Sequence, residues 1–491
     1  MKYILAIDQG TTGSRAIIYD RAGRTVASAY REFPQYFPEP GWVEHKPEEI
    51  WQSVCRTVQA VMRKVPKDSI VAVGITNQRE TTVVWDRITG KPVYNAIVWQ
   101  CRRTAPRCKE LKKKGMAEFI RKRTGLPVDA YFSATKIEWI LQHVPQARQK
   151  AKAGRLLFGT TDSWILWKLT GGTVHATDYT NASRTMLFNI RTKEWDKDIL
   201  KVFSVPRSML AEVKPSSGLF GRTVKVKGLR DGIPICGMAG DQQAALFGQG
   251  CAGPGTMKNT YGTGAFMLLN TGNKFVLSRQ GLITTLGCGQ KGEPVYCLEG
   301  AVFIAGAALQ WLRDQVHLLK SSSESAAMAA SVRDNAGVYF VPAFVGLGAP
   351  YWDQDARGAI TGLTRGSRAE HIVRAALEAM CYQTRDVVQA MEKDAGLRIK
   401  SLKVDGGAAA NDFLCQFQSD ILGINVVRPR VIETTALGAA YLAGLAAGYW
   451  KDYQEILSCW RIGKFFKPRM TGQQAAFFYA GWQNAVSRVF S

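Results

Sequence analysis

Three short glycine-rich turns carry the groups best suited to holding a phosphate: Asp8-Gln9-Gly10-Thr11-Thr12-Gly13-Ser14-Arg15, Tyr261-Gly262-Thr263-Gly264 and Asp405-Gly406-Gly407-Ala408. Glycine lets a backbone approach a ligand closely and aim successive N–H groups at phosphate oxygens. Hydroxyls and Arg15 add side-chain donors, and Asp8, at the end of an apolar run, could hold Mg²⁺ through water. Each turn alone also reads as an ordinary tight hairpin. Two similar turns in two similar halves, with a third beside them, point to a nucleotide clasped between domains.

A second set of residues suits a hydroxylated substrate. Asp241 follows the apolar run Ile233–Ala239, and a carboxylate at a strand end facing a cleft is a candidate general base. The same residue could instead cap a helix over Gln242–Gly248. Arg79-Glu80 could bind vicinal hydroxyls, because a guanidinium donates and a carboxylate accepts, or could be an exposed ion pair. Trp99 and Phe266 could cover the carbon side of such a ligand or could be core aromatics. Other chemistries lack their residues: the five His are dispersed, and no P-loop, H-E-x-x-H or G-x-S-x-G motif occurs.

The elements that must position these groups are legible in outline. Ile4–Ile7, the first polar turn, Ala16–Tyr19, a turn at Asp20–Arg24 and a run from Thr25 read as strand, hairpin, strand, turn, strand. The second half repeats the theme, with Thr256–Asn259 before the second turn and Ala265–Leu269 after it. Later runs, Ile70–Ile75 and Leu402–Val404, also end in polar turns. The pattern predicts a weak internal duplication of two α/β domains, residues 1–250 and 251–491. Helical periods fit Pro47–Arg63, Ala301–Asp314, Ala369–Lys393 and Asp412–Leu422. Thr434–Trp450, uncharged and rich in Ala and Gly, is too short and weakly apolar for a membrane span and is expected to be a closely packed buried helix.

The 491 residues, 46% hydrophobic and 21% charged, supply apolar material for more than one core and exclude a disordered chain. Lys+Arg 64 less Asp+Glu 40 gives a net charge of +24. The basic clusters are scattered, so a solvated surface is expected rather than a specific nucleic-acid site. The 10 Cys form no C-x-x-C pair, and the N-terminus has no signal-like character, which together suggest a cytoplasmic protein with reduced thiols that is not an integral membrane protein.

Two long signatures then give a resemblance: Tyr131-Phe-Ser-Ala-Thr-Lys136 running on to His143, and Gly358-Ala-Ile-Thr-Gly362-Leu363 continuing to His371–Glu378. With Gly41–His45, Ile75–Thr82, Asn95–Arg103, Asp178–Met186 and Gly240–Ala245, the chain resembles the FGGY family of carbohydrate kinases, in the actin/Hsp70/hexokinase superfamily, and within it the branch acting on glycerol. The resemblance spans roughly residues 3–450. It implies two actin-like, ribonuclease H-like domains, each a mixed sheet flanked by helices, with an interdomain cleft. It also implies ATP-dependent phosphorylation of glycerol to sn-glycerol 3-phosphate, with ATP and Mg²⁺ required and a homo-oligomer expected.

The resemblance also assigns roles. Arg79, Glu80, Tyr131, Asp241 and Gln242 match the polyol-bonding set, Trp99 and Phe266 the apolar wall, and Asp241 the catalytic base. Thr11, Thr12, Arg15, Thr263, Gly306, Gln310, Gly407 and Asn411 match nucleotide contacts, and Asp8 the Mg²⁺-associated carboxylate. Two departures stand out. Gly13 lies where the family often has Ser, and Val224–Gly232 matches neither the glycine-rich loop that binds fructose 1,6-bisphosphate in some bacterial relatives nor the loop carrying a phosphorylated His in others. Rival readings are another polyol or sugar kinase of the family, a non-catalytic nucleotide-dependent protein, and a nucleic-acid binder suggested by the charge.

Overall fold

The computed structural model describes residues 1–353 and 355–490. They form two compact units, the first of Met1–Ala252, Thr284–Tyr296 and Thr434–Trp460, the second of Gly253–Ile283, Cys297–Glu433 and Arg461–Ser491. The units are therefore interleaved along the chain, with Thr284–Tyr296 and Thr434–Trp460 returning to the first.

The first unit is built on a six-stranded mixed sheet. Strands β1 (Tyr3–Gln9), β2 (Gly13–Tyr19) and β3 (Thr25–Glu32) form an antiparallel meander. Strand β4 (Ile70–Asn77) lies parallel to β1, β6 (Pro234–Gly240) lies parallel to β4, and β5 (Ser217–Arg222) closes the edge antiparallel to β6, giving the order β5-β6-β4-β1-β2-β3. The inner strands read as nearly unbroken apolar runs because both faces are covered. Leu5, Ile7, Val73, Ile75, Ile235 and Met238 join one core with Val54 and Val58 of helix α1 (Pro47–Met62).

The second sheet repeats the scheme. β7 (Met257–Tyr261) and β8 (Ala265–Gly272) form an antiparallel hairpin, β9 (Ser401–Asp405) runs parallel to β7, β10 (Asn425–Pro429) parallel to β9, and β11 (Ile462–Phe466) antiparallel to β10. Met257, Met267, Leu402 and Val404 enter a separate core with residues of the long helix Ala369–Ala395.

Four more helices position the site: α2 (Asp241–Gly248), α3 (Gly306–Asp314), α4 (Asp412–Leu422) and α5 (Thr434–Ala446). The helical period expected from Ala301 begins only at Gly306. Val302 ends a strand, and Ala305 turns the chain by donating its N–H to the Thr263 carbonyl at 2.8 Å. Helix α5 is the expected close-packed apolar helix, and it belongs to the first unit because it lies against β1, β4, β6 and α2. Glycines make that approach possible: a Cβ on Gly237 would stand 2.5 Å from the Ala443 nitrogen, and one on Gly74 would overlap the Ala439 carbonyl. Among the described residues no helix is long and apolar enough to cross a membrane.

Candidate active site

Three parallel neighbours, β1, β4 and β6, end at one edge of the first sheet, with Asp8 opposite Thr76 and Asn77 opposite Gly240 in register. The carboxyl edge of such strands is where α/β sheets place ligands. Here it presents the first phosphate turn, Arg79-Glu80 and Asp241 from three consecutive strand ends.

Arg79 gathers this edge. Its Nε lies 3.2 Å from Asp241 Oδ1 and 3.8 Å from Glu80 Oε1, and Nη1 donates to Gln243 Oε1 at 3.2 Å. The Arg79 and Glu80 side chains are 2% and 1% exposed, which excludes the exposed ion pair. Buried charges persist when paired and hydrogen-bonded, and Glu80 has a second partner: Arg184 Nε donates to its Oε1 at 2.6 Å. Glu80 sits at φ 63°, a left-handed conformation that non-glycine residues adopt at some cost. Gly240 is needed for the packing, since a Cβ there would meet Arg79 Cδ at 2.7 Å.

Asp241 is the first residue of α2, while Gly240 takes the cap position. Its carboxylate, 32% exposed, accepts the N–H of Gln242 at 2.7 Å and faces Arg79. A network of buried polar groups holds the strand end behind it. Thr180 Oγ1 accepts the Gly240 N–H at 2.9 Å, and Asn77 Nδ2 donates to Asn181 Oδ1 at 3.0 Å and to Asp162 Oδ1 at 3.3 Å. Burial pushes the Asp162 carboxyl up to about 6, against hydrogen bonds from Thr160 and Thr177 that favour its ionised form.

Trp99 and Tyr131 pack edge to face, with ring centroids 5.5 Å apart. Trp99 Nε1 also donates to Thr11 Oγ1 at 2.9 Å, tying the aromatic wall to the phosphate turn. Under Tyr131, fully buried Lys136 donates to the Tyr131 and Glu80 carbonyls at 2.7 and 3.3 Å, and burial pushes it down to about 8.

In the first turn, Gly10 donates its N–H to the Gly13 carbonyl at 2.9 Å. Thr12 Oγ1 lies 3.1 Å from the Tyr30 hydroxyl, and the Arg15 guanidinium lies 5.4 Å from the centre of the Tyr30 ring. A Cβ on Gly13 would stand 2.6 Å from both the Tyr30 hydroxyl and the Arg31 carbonyl, so the glycine is required where the family often has Ser. Asp8 is half-buried at the β1 end. Among the described residues no group of three His, Cys, Asp or Glu stands ready for a metal. A single carboxylate fits Mg²⁺ that arrives with a nucleotide, because that ion keeps waters and phosphate oxygens in its shell.

In the second unit, the turn after β7 abuts the start of α3: Ala307 donates to the Thr263 carbonyl at 3.1 Å and Gly306 to the Gly262 carbonyl at 3.0 Å. Gln310 is exposed on α3. Gly407 follows β9 with open space where a side chain would be. Asn411 caps α4, accepting the Leu414 N–H at 3.0 Å and donating to Ser325 Oγ at 3.1 Å. Phe266 is half-buried on β8, opposite Thr260. The structure thus brings Arg79, Glu80, Asp241, Gln242, Trp99, Tyr131 and Thr11 together in the first unit, and Thr263 beside Gly306 in the second.

Arg184, Gln243, Lys136 and Tyr30 were given no role by the sequence. The first three lie inside long motifs, and their membership in those motifs was the available signal. Tyr30 had none, because its contact depends on strand register.

Residues 3–248 match the model of the FGGY family of carbohydrate kinases, N-terminal domain, and residues 257–447 that of its C-terminal domain. Glycerol kinase 2 of Thermotoga maritima is 58% identical over 491 residues, covering 99% of both chains. The glycerol kinase of Thermoanaerobacter pseudethanolicus is 60% identical over 490 residues, 99% of this chain and 98% of its own. Plasmodium falciparum glycerol kinase, solved with ADP, superposes with a TM-score of 0.94 at 38% identity, over 100% of this chain and 99% of its own.

Proposed function

This chain belongs to the FGGY family of carbohydrate kinases, and on that premise we propose that it transfers the terminal phosphoryl group of ATP to glycerol, giving sn-glycerol 3-phosphate and ADP. Full-length likeness to glycerol kinases supports the substrate pair. The observation that carries the chemistry is the convergence of Arg79, Glu80 and Asp241 at adjoining strand ends.

In this reading Arg79 donates to glycerol hydroxyls and Glu80, held by Arg184, accepts from one. Gln242 and Tyr131 add polar contacts, and Trp99 and Phe266 cover the carbons. Asp241 takes the proton from the terminal hydroxyl as its oxygen bonds to the γ-phosphorus and the bond to ADP breaks. Its partial exposure leaves the carboxylate open to a substrate, whereas Glu80 is buried with its Oε1 held by Arg184. Thr11, Thr12 and Thr263 on their turns, with Arg15 near the start of β2, would meet phosphate oxygens, and Gly306, Gln310, Gly407 and Asn411 would meet the nucleotide from the second unit. Mg²⁺ bound with ATP would neutralise phosphate charge, with Asp8 holding it through water.

The ten free cysteines support a reducing, cytoplasmic compartment. A homo-oligomer is the assembly proposed, to be read from the mass in solution. A phosphorylation screen of C3 to C6 polyols with ATP and Mg²⁺ tests the reading. Glycerol should give the highest kcat/KM, and preference for a pentitol or a pentose would overturn it.

A further inference from the structure

Away from the strand-end site, the first unit holds a surface cavity of about 670 Å³ bordered by five cationic side chains: Arg148, Lys152, Lys197, Lys201 and Arg207. None of its lining residues is acidic. Leu141, Leu200 and Val205 supply an apolar floor, each buried in the fold.

The charges are poorly compensated. Lys201 has only an exposed pair with Asp198 at 3.5 Å, and Arg207 donates to the Leu210 carbonyl at 3.1 Å. Arg148, Lys152 and Lys197 have no ion pair or side-chain hydrogen bond among the described residues, and Arg148 is half-buried. Like charges around a concavity repel one another, and low-dielectric walls focus their field on the space between them. A guanidinium at the rim is suited to bidentate bonding with phosphate or carboxylate.

We infer that this cavity is a second ligand site, which takes a small amphiphilic anion: a phosphate head met by the cationic rim and an apolar body laid on the Leu141–Leu200–Val205 floor. The inference is independent of the kinase reading, because it uses none of the strand-end residues.

Calorimetric titration with phenyl phosphate tests it, on enzyme saturated with ADP and glycerol so that the strand-end site is filled. One saturable site with a Kd of about 1 mM or tighter is expected at low salt. Inorganic phosphate, lacking the apolar body, should bind more weakly. Arg148→Gln combined with Lys197→Gln should weaken phenyl phosphate at least about tenfold with the melting temperature unchanged. The exposed pair Lys152→Glu with Lys201→Glu should do the same if the first variant folds poorly. Absence of saturable heat, or equal affinity in both variants, overturns the inference. So does binding of an RNA oligomer or anionic vesicles that depends on these residues while phenyl phosphate fails to bind, since that would make the cavity part of a macromolecular surface.

Discussion

The Nε of Arg79 lies 3.2 Å from Oδ1 of Asp241, although the two residues leave different strands of the first sheet. Parallel pairing of β4 with β6 puts both strand ends at the same level, and Gly240 leaves room for the arginine. The guanidinium therefore sits between a buried carboxylate, Glu80, and a partly open one, Asp241. In the proposed mechanism the first orients the polyol and the second removes the proton, and that asymmetry in exposure suits them to those parts.

Asp241→Asn keeps the shape and removes the basicity. Gly240 holds the cap position of α2, so folding should be unaffected. If Asp241 is the base, kcat should fall roughly 10²–10⁴-fold with ATP still bound. A folded Asn variant turning over at a near-normal rate would remove Asp241 from the mechanism.

Arg184 is buried against Glu80 at 2.6 Å. Removing one partner of a buried pair costs up to about 3–5 kcal/mol, and without Arg184 the Glu80 carboxylate would keep Arg79, at 3.8 Å, as an ion-pair partner. Arg184→Ala should lower unfolding free energy by that order in denaturant titration and raise the KM for glycerol far more than that for ATP. A stability loss below about 1 kcal/mol would mean that Glu80 is compensated without Arg184.

Tyr30 presents its hydroxyl to Thr12, and its ring to Arg15, in the space a residue larger than Gly13 would need. Tyr30→Phe deletes one hydrogen bond to the phosphate turn, worth about 0.5–1.5 kcal/mol. The KM for ATP should rise roughly two- to tenfold, with the KM for glycerol unchanged. Equal effects on both substrates would make Tyr30 a general packing residue.

Local signals carried much of this architecture. The apolar runs before Asp8, Thr76 and Asp241 became the three central strands, because strands buried on both faces need unbroken hydrophobicity. The helix Asp412–Leu422 appears with the expected ends, marked by Asn411 at its cap and Gly423 after it. What was not legible depends on contacts remote in sequence. The return of Thr434–Trp460 to the first unit rests on glycines in β4, β6 and α2 that accept its backbone. The Arg184–Glu80 pair spans 104 residues, and the Tyr30–Gly13 contact depends on the register of β2 with β3. At Ala301–Ala305, an apolar period that looked helical is spent on a strand end and a turn, where pairing with the sheet outweighs local propensity.

The loop over Val224–Gly232 is closed on itself: Asp231 Oδ1 accepts the Lys225 N–H at 2.6 Å, and Thr223 Oγ1 donates to the Arg230 carbonyl at 2.8 Å. It has neither the effector loop's glycine-rich pattern nor a His. Fructose 1,6-bisphosphate at millimolar concentration should therefore leave the rate at saturating ATP nearly unchanged. Strong inhibition would place an effector site elsewhere.

His45 links acidity to stability. Its ring is fully buried, edge-on to Phe33 at 5.0 Å, with Nδ1 3.4 Å from Gln78 Nε2, and Nε2 has no hydrogen-bond partner among the described residues. Burial pushes its pKa down from 6.5 to about 4. The unfolded chain then takes up a proton before the folded one does, so this contribution to stability is fully present above pH 6.5 and is lost as pH falls toward 4. The shift corresponds to about 3 kcal/mol. Asp162 and Asp386, both raised to about 6 by burial, change stability in the opposite sense over an overlapping range. They cancel in a comparison of the protein with His45→Gln. The stability difference between the two should shrink by about 3 kcal/mol between pH 7 and pH 4 in denaturant titrations. A difference that stays flat across that range would mean that His45 is already protonated in the fold or is solvated in a way its burial excludes.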